Sequence, residues 1–326
     1  MAQLVKLLDY VSRYENDLSR YPTQYIRLKT THWERMKMRW LNEEDLTMWQ
    51  QEAVMEPEQQ PGEGKWFSPF FRLLKRRDQQ DEEIEVDIET EEQDEKELFD
   101  FNPSIIYKPE NLEQLKKLYM DQLFHFQLKW ASSTMLEHSR LDAKFLRDSL
   151  LKSFTQQLPD SYLLFYYPVL KVKKAPVELD ILLITPLECL CITVLEGEDA
   201  SAFIGTGDRF WTKKIGDRET KLVNPLIGLN RMEKIVSSIF AEQNIQFPVK
   251  KFIVSKNGYI DYPAVPFDTK IVDRRSFADW FGALQRSTIP MKFNQFKAAQ
   301  VLLDTTQTTA SSRLFDEQEE QMDINE

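Results

Sequence analysis

Residues 178–195, ELDILLITPLECLCITVL, decide the fold. Glu178 and Asp180 open an apolar run, Pro186 makes the turn, and a second apolar run follows. The runs at 179–184 and 189–195 are short, rich in β-formers and apolar at consecutive positions, as strands covered on both faces are. Alternation along the second strand puts Thr193 and Leu195 on one face, and Asp180 stands at the mouth of the first strand.

Outward from this hairpin the pattern repeats. Residues 161–172 (SYLLFYYPVLKV) and 250–255 (KKFIVS) read as further strands. Residues 224–240 return to helical spacing through Leu226, Leu229, Met232, Ile235, Val236, Ile239 and Phe240, with Asn224 as N-cap and Pro225 at the first helical position. Upstream, Asn111 caps a helix striped by Leu112, Leu115, Leu118, Tyr119, Leu123 and Phe126, and a second helix carries Leu141, Phe145, Leu146, Leu150, Leu151 and Phe154. Helix, three strands, helix, strand predicts an α/β fold. The compact domain spans 110–303, with closing helices at 276–303, followed by a polar, acidic and frayed tail at 304–326.

The N-terminal region, 1–55, reads as helical. Leu4, Leu7, Leu8, Val11, Tyr14 and Leu18 fall at helical spacing up to Pro22, and the aromatic and basic residues 23–50 suggest a helical hairpin. Residues 56–100 read as a flexible linker, broken by EPEQQPGEG at 56–64 and almost continuously acidic at 78–97. Between the breaks, KWFSPFFRLLKRR (65–77) reads as a short basic amphipathic helix. Trp66, Phe67, Phe70, Phe71, Arg76 and Arg77 make it a candidate for docking on a protein or a membrane surface, or for packing on the chain's own core.

Composition narrows the classes. The 326 residues carry a formal net charge of −11, which excludes coating of nucleic acid or anionic membrane by bulk charge. Any such contact is local. Cys189 and Cys191 lie two apart on one strand face, poor geometry for a mutual disulfide, and together with the absence of a secretory signal this predicts a cytoplasmic protein. No apolar run approaches the roughly 20 residues that span a bilayer. His32, His125 and His138 lack metal-ligand spacing, and Gly205 and Gly207 of IGTGDRF shape a hairpin turn rather than cradle phosphate.

Residues 135–255 resemble the nuclease-related domain (NERD) family of the PD-(D/E)xK nuclease superfamily. The likeness rests on the helix at 141–157, Asp180 followed by ILLITP, the apolar strand after the turn, Trp211 in RFW, the Asn224-Pro225 pair and the closing KKFIVS strand. It implies a restriction-endonuclease-like α/β sandwich core. It also implies a site where carboxylates hold a cation, the cation activates water, and a lysine positions that water. Here the family's Glu and Lys correspond to Thr193 and Leu195, the Gln that commonly follows Asn-Pro is Gly228, and the first-helix Gly-Glu is replaced by Arg140-Leu141-Asp142-Ala143, where Asp142 or Glu137 are the substitutes. A lone aspartate holds a divalent cation poorly.

The resulting expectation is a catalytically degenerate domain that binds nucleic acid or a protein partner, with no metal and no cofactor. Lys171, Lys173, Lys174, Lys213 and Lys214 are the candidates for phosphate contact. Two alternatives stand beside it. One is an active nuclease with migrated residues, using Asp180 with Glu178 or Glu196, a lysine from 171–174, and Mg²⁺ or Mn²⁺. The other is a membrane-peripheral adaptor held by residues 65–77. Nothing in the sequence settles the oligomeric state.

Overall fold

The structure, a computed structural model, describes residues 1–43, 109–134, 136–173, 175–310 and 312–313. The linker, the acidic run, the segment with Trp66, Phe67, Phe70, Phe71, Arg76 and Arg77, Lys174 and most of the acidic tail lie outside the described residues.

The chain divides into two compact units, residues 1–29 with 123–326, and residues 30–122. The first is mixed α/β. Its strands β1 (Gln3–Leu7), β3 (Leu163–Tyr166), β6 (Ile181–Ile184), β7 (Cys189–Val194), β11 (Val249–Val254) and β13 (Thr269–Val272) form a six-stranded sheet in the order β1-β3-β6-β7-β11-β13. The hairpin of residues 178–195 is its centre: β6 pairs antiparallel with β3 and β7, and β7 runs parallel to β11. Leu163 to Tyr166, Ile181 to Ile184 and Cys189 to Ile192 are all buried, which is why these runs read as continuously apolar.

Helices cover both faces. On one face, the short helix α3 (Lys144–Arg147), α4 (Ser149–Gln157) and α6 (Phe277–Gln285) bring Phe145, Leu151, Phe154 and Phe281 against Leu164, Tyr166, Ile181, Leu183, Leu190, Ile192, Phe252 and Val254. Phe154 meets Phe281 edge-on at 5.9 Å. Each large apolar side chain so buried contributes about 1.5–3 kcal/mol. On the other face, α5 (Pro225–Glu242) lies on β7 and β11, and α7 (Phe293–Thr305) on β6 and against α5. Asn224 caps α5 by accepting from the Leu226 amide at 3.0 Å, with Pro225 at the first helical position.

A second, four-stranded sheet has the order β10-β9-β8-β12, from β8 (Ala202–Ile204), β9 (Phe210–Ile215), β10 (Arg218–Val223) and β12 (Tyr259–Asp261). Trp211, fully buried, anchors it against Tyr262. Gly205 and Gly207 lie in the link from β8 to β9, and a Cβ at Gly205 would stand 2.6 Å from the Tyr262 ring. Two ribbons complete the unit: β4 (Val169–Val172) with β5 (Ala175–Glu178), and β2 (Glu137–His138) with β14 (Ser312–Arg313).

Three expectations are corrected. Residues 4–18 are not one helix: Gln3–Leu7 form β1, parallel to β3, and only Arg13–Glu15 make a single 3-10 turn. Leu4, Val5 and Leu7 are buried because strand and helix both bury this run, and their spacing alone does not separate the two. The run at 161–172 is two strands, broken at Tyr167-Pro168. The tail does not fray at 305: Gln307 donates to the Val169 carbonyl, Thr309 to that of Asp9, and Ser139 Oγ donates to the Thr309 carbonyl.

Helix α1 (Tyr21–Leu41) and α2 (Leu112–Trp130) contribute to both units, and the second arm of the hairpin expected at 23–50 lies outside the described residues. Within the second unit Trp33 packs on Tyr119 with ring centres 5.4 Å apart, and Trp40 Nε1 donates to the Pro109 carbonyl. Asn111 caps α2, accepting from the Gln114 amide at 2.9 Å.

Candidate functional site

Asp180 stands just ahead of β6 and is half-buried. Directly across, Thr193 on β7 donates its hydroxyl to Asp180 Oδ2 at 2.5 Å. This is the position at which the resemblance expects the second carboxylate of a metal-binding pair. Leu195, 8% exposed where the lysine is expected, donates its backbone amide to the Val254 carbonyl and brings neither charge nor proton.

Alternation divides the remaining carboxylates. Cys189, Cys191 and Thr193 share one face, and it is the α5 face: Lys251, paired in register with Cys191, donates Nζ to Asn230 Oδ1 on α5 at 2.7 Å. Leu190, Ile192 and Val194 take the α3 and α4 face, and Glu196 follows them. There an open cleft of about 470 Å³ is lined by Leu8, Lys144, Phe145, Asp148, Ser149, Tyr167, Glu178 and Glu196. Asp180 and Thr193 are not among its lining.

Asp148, at the head of α4, was not legible as a site residue. Its Oδ1 accepts from the Leu150 and Leu151 amides, each at 2.9 Å, and its Oδ2 accepts from the Tyr166 hydroxyl at 2.6 Å. The signal available was an ordinary one, an Asp just ahead of an apolar helical stripe, which marks an N-cap without saying that the cap opens on a cleft. The positions expected to supply the first-helix carboxylate do otherwise. Asp142 is exposed, caps Lys144 and pairs with it at 3.4 Å, and Glu137 belongs to β2.

Tyr167 closes the cleft beside the Asp180 backbone, its amide donating to the Asp180 carbonyl at 3.1 Å from a left-handed φ of 50°. Burial first, then the negative charges of Asp180, Glu196, Asp148 and Glu178, push its hydroxyl up to about 12. It remains a protonated donor at neutral pH. Lys144 is the cation of the cleft, lying 4.9 Å over the Phe145 ring. Among the described residues no group of three or more His, Cys, Asp or Glu side chains is placed to hold a metal ion.

The lysine candidates are not gathered into one surface. Lys171 and Lys173 are exposed on the β4-β5 ribbon. Lys213 and Lys214 are consecutive on β9 and point to opposite sides. Lys213 Nζ donates to the Glu196 carbonyl at 3.0 Å, and Lys214 pairs with Glu219 at 2.5 Å. Cys189 and Cys191 are buried free thiols. No helix among the described residues is long and apolar enough to cross a membrane.

No family model matches the chain, and no solved structure does. Over 45 residues, 14% of this chain and 14% of the other, it is 53% identical to a protein named RNA 2',3'-cyclic phosphodiesterase from Geobacillus stearothermophilus. The chain is thus similar to a small part of that protein's length.

Proposed function

We propose that the α/β unit is a catalytically degenerate, restriction-endonuclease-like domain of the nuclease-related type that serves as a binding module in the cytoplasm. One observation carries the reading: the Asp180 carboxylate is engaged by the Thr193 hydroxyl and does not line the cleft that Asp148, Glu178 and Glu196 share. Two-carboxylate chemistry needs its ligands around one point.

The ligand that suits the cleft is a basic segment of a protein partner. Three carboxylates against the single Lys144 repel a bare phosphodiester, and the half-buried Tyr167 offers its ring to an arginine or lysine side chain. The lysines that would hold nucleic acid are divided between the β4-β5 ribbon and β9 of the four-stranded sheet, two of them already engaged. Calorimetric titration with Mn²⁺ and Mg²⁺, beside Asp180→Ala, tests the loss of chemistry. Saturable binding that Asp180→Ala removes overturns it. Anisotropy with an arginine-rich peptide and with a single-stranded oligonucleotide tests the ligand class. Binding of the peptide that Glu196→Gln with Glu178→Gln weakens supports the reading, and tighter, salt-sensitive binding of the oligonucleotide overturns it.

A second reading, a phosphodiester-cleaving enzyme with relocated residues, draws on Asp148, which enters the same cleft as Glu178, Glu196 and Lys144. It requires Mn²⁺ affinity that depends on Asp148 and Glu196 and is indifferent to Asp180→Ala.

A further inference from the structure

β10 is the last strand of the four-stranded sheet, and Arg218 to Lys221 are all exposed. It pairs antiparallel with β9 from Arg218↔Ile215 to Val223↔Phe210. The bond just beyond the strand, Asn224 amide to Arg209 carbonyl at 2.9 Å, sets the phase of the ladder. Hydrogen-bonded pairs alternate, so Leu222, Thr220 and Arg218 turn their backbone groups toward β9. Glu219, Lys221 and Val223 turn theirs outward, and among the described residues no strand meets them.

A second strand laid antiparallel along this edge must bond to Glu219, Lys221 and Val223, which restricts the registers open to a copy of β10. Centring a two-fold axis on Glu219 sets two glutamates face to face, and centring it on Lys221 sets two lysines face to face. Like charges directly opposite destabilise a strand pair. Centring it on Thr220 sets Glu219 against Lys221 of the second copy, Lys221 against its Glu219, and Thr220 against Thr220 on the axis. Glu219 already pairs with Lys214 on the same face, so each side of the axis gains a three-charge network. An edge lysine ordinarily deters strand addition, and a partner removes the deterrent only by placing a carboxylate opposite it. This strand carries that carboxylate at the matching position.

We propose that two copies of this chain pair antiparallel through β10 in the register centred on Thr220, joining their four-stranded sheets edge to edge. The full-length chain is tested by sedimentation from micromolar to near-millimolar concentration, with Lys221→Glu and Glu219→Lys. Each variant alone places like charges opposite each other twice, so each dimer weakens by roughly tenfold or more. Mixed in equal amounts, the two variants are complementary at both positions, and the dimer returns as a heterodimer. Thr220→Cys, oxidised, links across the axis, because a directly opposite pair stands within about 4.5–5.5 Å. Arg218→Cys, far from its own copy in this register, does not link. A monomer at every concentration, a dimer indifferent to Lys221→Glu, no recovery on mixing, or equal linking at 218 and 220 each overturns the proposal.

Discussion

Lys6, on a strand of the six-stranded sheet, and Asp180, just ahead of another, are treated in opposite ways. Lys6, on the edge strand β1, is fully buried; its ammonium meets the Glu15 carboxylate and donates to Thr308 Oγ1 at 2.8 Å, and Thr308 donates to Glu15 at 2.9 Å. Asp180, at the mouth of a central strand, accepts from the Thr193 hydroxyl and stays half-buried. A charge enclosed in a closed ring of partners belongs to the fold. A charge that meets a hydroxyl and keeps access to water is cheap for the fold to lose.

The contrast breaks most readily at Glu15. Glu15→Gln leaves the Lys6 charge buried without its counter-ion and lowers stability by about 3 kcal/mol, read from the urea midpoint. Asp180→Asn, exposed to solvent on one side, costs less than about 1 kcal/mol. Equal costs at the two positions would dissolve the distinction between structural and residual charge.

Asp148 falls between these extremes, since it is both helix cap and cleft wall. Asp148→Ala removes the cap of α4 and the acceptor of the Tyr166 hydroxyl and lowers stability by about 1–2 kcal/mol. Asp148→Asn keeps a capping oxygen, costs less than the alanine, and lowers the cleft's affinity for an arginine-rich peptide by removing a charge. A loss of stability with unchanged peptide affinity would assign Asp148 to the fold alone.

Titration gives a smaller effect of definite sign. Burial lowers the Lys6 pKa below its ordinary 10.5, with the opposing pull of Glu15 not fully offsetting it. Because the folded value lies below the unfolded one, the unfolded chain binds more protons between them. The stability linked to Lys6 is therefore fully present above 10.5 and is lost as pH falls through the folded value. Compared with Lys6→Met, the wild-type chain gains stability as pH rises from neutral toward 10.5. A flat difference would mean that the ammonium is better solvated than its enclosure implies.

What the sequence made legible follows from which forces act locally. The hairpin of residues 178–195, the α5 helix with its Asn224 cap and the buried Trp211 were readable because runs of apolar residues and caps are local signals. β1 was not, because Leu4, Leu7 and Leu8 satisfy a helical stripe as well as a buried strand. Only the pairing with β3, some 160 residues away, selects the strand. Of the carboxylates read from the hairpin, Glu178 and Glu196 meet at one cleft, whose lining does not include Asp180. Asp148 and Tyr167 entered the cleft through the break at Tyr167-Pro168 and the start of α4, long-range placements that no spacing encodes.

Thr193 offers the finest test of what Asp180 is for. Thr193→Val removes the hydroxyl that donates to Asp180 Oδ2 and lowers stability by about 0.5 kcal/mol, because water reaches the half-buried oxygen. Thr193→Glu does something different: it places a second carboxylate opposite Asp180, on the face where the resemblance expects one. Two carboxylates so close repel, and a divalent cation relieves that repulsion, so this variant is expected to bind Mn²⁺ in calorimetry where the wild-type chain does not. Hydrolysis should still be absent, since Leu195 supplies no lysine. Mn²⁺ binding without cleavage would mean that the cation site was lost through one side chain. No binding even in Thr193→Glu would mean that the geometry of this face has moved away from metal chemistry altogether, leaving the cleft beyond it as the working surface.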